Sequence, residues 1–263
     1  MISFSRATEY AEQLMMKEPT LLRDLRQVTT RELRYYDMLS GPVIGSFLNL
    51  MIRLSGARTV LEIGTFTGYA SLWMAMALPT DGCVVTCESN EKYAGIARRF
   101  FDRFREEWSN PPEITLLPGP AMESALEAAL PTGADFIFLD ADKECYPDYY
   151  NRLFPLLVPG GLMVIDNAFW GGKVWEEGGV EGKTDAGTRG TLEGGAAGRT
   201  VKGARGMADA ETGSVSATNA GDRKAQAIDR LNRIIAADPR VQNVVLTVRD
   251  GLHLVRKKKE SHI

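Results

Sequence analysis

Two short stretches carry the residue types most suited to chemistry. Asp140-Ala141-Asp142-Lys143 and Asp166-Asn167 each follow an apolar run, 136–139 and 162–165, that reads as a buried strand. Side chains just past the carboxyl ends of strands are where open α/β sheets place ligands. If these two strands are neighbours, about 4.8 Å apart, Asp140, Asp166 and Asn167 converge. Two carboxylates and an amide carbonyl are hard oxygen donors suited to Mg²⁺ with waters completing the shell. The competing reading is that Asp166 and Asn167 only shape a loop. Lys143 stands beside the acids; alone, a lysine after a strand is usually just solvated.

A second constellation lies earlier. Val60-Leu61-Glu62-Ile63 runs into Gly64-Thr65-Phe66-Thr67-Gly68, and a helical pattern follows from Tyr69. Glycines in such a turn let a ligand approach the backbone, and the helix start offers unpaired N–H groups. The pattern is Gly-x-x-x-Gly, not the Gly-x-Gly-x-x-Gly of dinucleotide enzymes, which favours a nucleoside without a pyrophosphate. Glu88 ends the next apolar run, where a carboxylate can accept hydrogen bonds from both ribose hydroxyls.

The elements that must position these residues alternate. Apolar runs at 59–63, 83–87, 114–117, 136–139 and 162–165 are separated by helical patterns near 69–77, 91–104, 122–130 and 146–157. This alternation predicts a parallel sheet covered by helices on both faces. A helical pattern at 223–236 leads to two runs, 244–248 and 252–255, joined through Asp250-Gly251, which predicts a hairpin. Seven strands result, the last pair antiparallel. Helices are also expected over residues 1–56, with a break at Pro19 and a new start after Pro42. The stretch 176–222 is rich in Gly, Ala, Thr and charge, with almost no large apolar residue. It reads as a flexible insertion, since ordering it would cost more entropy than burial returns. A lid over the site is the alternative. The whole chain, 1–263, is expected to be one domain.

Together these motifs resemble the cation-dependent O-methyltransferases of the caffeoyl-CoA and catechol type. The likeness covers about residues 36–173 and resumes over 223–257. Its landmarks are Leu-Glu-Ile-Gly-x-x-x-Gly-Tyr at 61–69, Gly-Pro-Ala at 119–121, Asp-Ala-Asp-Lys at 140–143 and Asp-Asn-x-x-Trp at 166–170. The resemblance implies an α/β, Rossmann-like class I methyltransferase fold. It implies S-adenosylmethionine (SAM) as methyl donor, with Ser40, Glu62, Gly64, Thr65, Gly68, Ala70, Glu88, Ala121 and Asp140 at its site. It implies Mg²⁺, or another divalent cation such as Mn²⁺ or Ca²⁺, held by Asp140, Asp166 and Asn167. Lys143 would be the catalytic base, its pKa lowered by the nearby dication, and Trp170 would line the acceptor pocket. The acceptor would be a hydroxyl of a small catechol-like or caffeoyl-type phenolic, and the protein a homodimer. Ala70 departs from the serine common there, and Ser71 is the hydroxyl that could replace it. Gly171, Val43, Ile44 and Ser46 also depart, which leaves the acceptor open. A methyltransferase for a non-catechol acceptor and a non-catalytic SAM-binding or assembly protein are the rival readings.

Composition narrows the partners. The formal net charge is −3, which gives no electrostatic basis for nucleic-acid binding. The basic run at 256–259 reads as a solvated tail. Cys83, Cys87 and Cys145 are odd in number with no CxxC spacing, which suits a reducing compartment. The first residues have no long apolar core of a secretion signal, and no stretch reads as a membrane span. A cytoplasmic protein without a membrane partner is expected.

Overall fold

The computed structural model describes residues 4–177 and 214–259. Among them lies one seven-stranded sheet: β1 (Thr59–Ile63), β2 (Cys83–Glu88), β3 (Glu113–Pro118), β4 (Ala134–Leu139), β5 (Leu157–Asp166), β6 (Val241–Leu246) and β7 (Leu252–Lys257). The order across the sheet is β3-β2-β1-β4-β5-β7-β6. The first five strands pair in parallel, and β7 runs antiparallel between β5 and β6.

Each central strand buries both faces, so its apolar run is continuous while its side chains alternate between two cores. Val60, Val84, Phe136, Phe138 and Val164 face one layer. That layer is α2 (Thr20–Glu32), α3 (Gly41–Ser55), α4 (Tyr69–Ala75) and α5 (Glu91–Glu107). Leu61, Ile63, Ile137, Leu139, Met163 and Ile165 face the other. There α6 (Leu126–Ala129), α7 (Tyr146–Leu153) and α9 (Ser214–Ala237) pack, joined by Val174 of α8 (Lys173–Glu177). α1 (Phe4–Leu14) precedes them. Local signals fit: Asn90 caps α5 by accepting from the N–H groups of Lys92 and Tyr93, and Gly56 ends α3 in the left-handed conformation.

Several boundaries differ from expectation. The helix expected at 122–130 shrinks to α6, because Ser124 Oγ turns back onto the Pro120 carbonyl and Pro131 follows closely. The helix expected through 157 stops at Leu153, and β5 takes the chain from Leu157. The segment read as a flexible insertion, 176–222, lies outside the described residues over 178–213. Its ends are helical: 176–177 belong to α8, and α9 begins at Ser214 rather than 223. The basic run is not a loose tail, since Lys257 lies in β7 and its Nζ donates to the carbonyls of Phe154 and Leu157. One stretch, Tyr36–Ser55, is long and apolar enough to cross a membrane, contrary to the sequence expectation. Its Ile44, Leu48 and Ile52 are buried in the core.

Candidate active site

Sheet register builds the site. Ile63 is level with Cys87 on one side and Leu139 on the other, and Leu139 is level with Ile165. The next residues, Gly64, Glu88, Asp140 and Asp166, therefore emerge side by side at the carboxyl edge, as open α/β sheets favour. They border a cavity of about 900 Å³. Ser40, Gly64, Thr65, Ala70, Glu88, Ala121, Asp140, Lys143, Asp166, Asn167 and Trp170 all line it. Two expected site residues, Glu62 and Gly68, do not.

Glu62 stands behind the cavity wall rather than on it. It shares a face with Val60, so its carboxylate points under α4 and is fully buried. There Ser71 Oγ and Thr86 Oγ1 both donate to its Oε2, while Oε1 has no partner among the described residues. Burial pushes its pKa up to about 8, against the lowering effect of those hydroxyls. Ser71 is spent on this network and is itself buried, so it does not replace the hydroxyl missing at Ala70. Thr65 Oγ1 meets Thr86 Oγ1 at 2.5 Å, which ties the pocket floor to the same network. Gly68 is needed for packing: its φ is +88°, and a Cβ there would stand 2.6 Å from the Phe101 ring. At Gly64 the crowding comes from the protein too, since a Cβ would meet the Asp140 carbonyl oxygen at 2.1 Å.

Glu88 accepts the Phe66 N–H on Oε2 and the Asn90 N–H on Oε1, both at 2.8 Å. Burial raises its pKa, and those N–H donors restrain the rise. Each oxygen keeps capacity for a further donor.

The other end of the cavity is charged. Lys143 and Asp166 are each only 8% exposed. Lys143 Nζ donates to Asp140 Oδ1 at 2.5 Å and sits 5.0 Å over the Tyr146 ring. Burial opposes the ammonium, but Tyr146 and Asp140 outweigh it, so the pKa is raised. The lowered value expected beside a dication is not what these side chains alone produce. For Asp166, burial and the nearby Asp140 charge push the pKa up to about 7, with Lys143 pulling the other way. The buried Tyr146 hydroxyl lies 3.4 Å from the Leu139 carbonyl and 3.3 Å from that of Asp166, bridging the two strand ends. Asn167 follows at φ +63°. Its Nδ2 donates to Asp250 Oδ2 at 3.1 Å, which leaves its carbonyl oxygen as the end available to a ligand. Among the described residues no three His, Cys, Asp or Glu side chains gather as a metal cluster; the oxygen set here is two carboxylates and one amide. Trp175 is exposed and packs edge-on against Phe169.

Residues the sequence reading missed also line the cavity: Asp37, Lys224, Arg249 and Asp250. Asp250 was read only as a turn residue. The available signal was topological. A hairpin that adds antiparallel to β5 must set its turn beside the residues following β5, and Asp166 indeed pairs with Leu252.

Known proteins resemble this chain in sequence and in fold. A family model described as O-methyltransferase matches residues 12–188 and 209–258. The chain belongs to the O-methyltransferase family. It is 31% identical over 252 residues to caffeoyl-CoA O-methyltransferase 2 of Petunia hybrida, covering 92% of this chain and 85% of that one. The O-methyltransferase from Bacillus cereus, solved in complex with S-adenosylhomocysteine (SAH), superposes with a TM-score of 0.68 at 26% identity, over 95% of this chain and 96% of that one. The fold is shared as well by SAH-bound PaMTH1 of Podospora anserina, at TM-score 0.73 and 23% identity over 97% and 95% of the two chains. The protein is thus a SAM-dependent O-methyltransferase built on a seven-stranded sheet.

Proposed function

We propose that this O-methyltransferase acts with a divalent cation, Mg²⁺ or an alternative such as Mn²⁺ or Ca²⁺, on one hydroxyl of a vicinal diol in a small catechol-like or caffeoyl-type phenolic. The observation that carries the reading is the convergence of Asp140, Asp166 and Asn167 with Lys143 on one wall of the cavity. The name of the Petunia relative supports the acceptor class.

The donor set fits a hard cation. Burial and the Asp140 charge raise the cost of charging Asp166, with Lys143 offsetting part of it, and oxygen donors of this kind suit Mg²⁺, Mn²⁺ and Ca²⁺. Bound there, a cation would draw Asp140 from Lys143, disfavour the lysine's proton and acidify a hydroxyl beside it.

The chain's own residues do the rest. Glu88 takes the ribose end of the donor, and Ser40, Gly64, Thr65, Ala70 and Ala121 wall the cavity around it. Trp170 borders the acceptor ring. Lys143 Nζ accepts the proton of the reacting hydroxyl. The oxygen then attacks the donor's methyl carbon, the C–S bond breaks, and the sulfur keeps the bonding pair. Holding the two reactants in line is worth roughly 7–11 kcal/mol in favourable cases. The same reading makes the protein a cytoplasmic homodimer with its N-terminal helices at the interface.

The test is transfer of labelled methyl from SAM, with Mg²⁺, to catechol and caffeate against the matching monohydroxy phenols. Transfer to the diols alone is expected. Equal transfer to both would contradict chelation of two adjacent oxygens.

A further inference from the structure

We propose that Asp250 is a positioning residue for the acceptor side, fixing the loop after β5 and, through it, the coordinating end of Asn167 and the ring of Trp170. The inference rests on the cation site proposed above.

The loop needs holding. Asn167, Trp170, Gly171 and Gly172 have φ of +63°, +47°, +63° and +92°, and two of these are not glycine. Such backbone persists where the surroundings over-determine it. The turn between β6 and β7 supplies that restraint. Asp250 Oδ1 accepts the Gly171 N–H at 2.7 Å, and Oδ2 accepts from Asn167 Nδ2 at 3.1 Å. The Asp250 carbonyl accepts from Phe169 N at 2.9 Å, and the Gly251 carbonyl from Ala168 N at 3.0 Å. Gly251 makes the approach possible, since a Cβ there would stand 2.7 Å from the Phe169 ring. On the far side, Asn232 Nδ2 donates to the Ala168 carbonyl at 2.9 Å.

An aspartate that merely formed its own turn would spend its carboxylate on neighbouring N–H groups. Here both carboxylate oxygens reach residues of another element, one near each end of the loop. Holding the Asn167 amide by its nitrogen leaves its oxygen for a cation. Partners of this kind typically change metal affinity about 10–100-fold when removed.

The experiment uses the full chain. Asp250→Asn keeps an acceptor for Gly171 N–H but sets one NH₂ against another at Asn167. The double variant Asp250→Asn/Asn167→Asp restores a donor opposite an acceptor and keeps the site's formal charge. Three readouts are taken: Mn²⁺ affinity by paramagnetic titration, hydrogen exchange of the amides of 168–171, and SAH affinity by calorimetry. In Asp250→Asn we expect Mn²⁺ to bind about tenfold more weakly, those amides to exchange faster, and SAH affinity to hold. The double variant should recover slow exchange and most of the Mn²⁺ affinity. Wild-type Mn²⁺ affinity in Asp250→Asn, or unchanged exchange in the loop, overturns the positioning role. Failure of the wild-type protein to bind Mn²⁺ overturns the cation reading instead, and loop exchange then still decides whether Asp250 holds the loop.

Discussion

The two ends of the cavity are built from different materials. The end formed by β1 and β2 relies on backbone, hydroxyls and two acids held by uncharged donors: Gly64 packed against the Asp140 carbonyl, Thr65 and Thr86 hydrogen-bonded, Glu62 buried beneath, and Glu88 on the Phe66 and Asn90 N–H groups. The end formed by β4, β5 and the β6–β7 turn relies on charge: Asp140 on Lys143, Asp166 beside them, and Asp250 gripping a loop of left-handed backbone. In the proposed reading the first end holds the nucleoside of the donor and the second handles protons and charge. Changes at the first should therefore register in stability and SAH affinity, and changes at the second in turnover and cation response.

The sharpest way to break that division is Lys143→Ala. The loss of a general base typically costs about 10²–10⁴ in rate, and kcat should fall by that order while SAH affinity stays near wild type. If SAH binding fell in parallel, Lys143 would belong to the donor end and the division would be wrong.

Glu62→Gln probes the opposite end with a pH signature. The folded pKa of Glu62 is about 8 against an ordinary 4.5. Between those values the folded protein binds more protons than the unfolded one, so stability falls as pH rises. The contribution is fully present below about 4.5 and lost once pH passes about 8. Glutamine keeps an acceptor for Ser71 and Thr86 and removes the ionisation. At about 1.4 kcal/mol per pKa unit, urea unfolding at pH 9 should show the variant more stable by a few kcal/mol, with no gain at pH 4. A gain of equal size at both pH values would mean that packing, not ionisation, is responsible.

The smallest expected effect is at the acceptor wall. Trp170→Ala should raise KM for an aromatic acceptor roughly two- to tenfold, in line with about 0.5–1.5 kcal/mol for one aromatic contact, and leave KM for SAM unchanged. A rise in KM for SAM of the same size would place Trp170 against the donor.

The same contrast explains what could be read from the sequence. Donor-side positions were legible because they follow one another along the chain: a run, a glycine turn, a helix, then an acid ending the next run. The inner strands were legible too, since burial on both faces makes them apolar throughout. The fate of Glu62 was not legible, because its carboxylate is claimed by Ser71 on α4 and Thr86 on β2 once the layers pack. For the same reason Ser71 proved unable to stand in for a serine at position 70. Asp140, Asp166 and Asn167 could be brought together on the assumption that β4 and β5 are neighbours, which the register bears out. Asp250 needed one step more, the insertion of β7 between β5 and β6, and Asp-Gly in a sequence announces only a turn.

The most direct test of the account is the rate of methyl transfer from SAM to catechol with Mg²⁺ and with EDTA, on one preparation whose SAH affinity is measured under both conditions. EDTA should abolish transfer, added Mg²⁺ or Mn²⁺ should restore it, and SAH affinity should stay the same throughout. Transfer that continues unchanged in EDTA would contradict the cation site while leaving the methyltransferase in place.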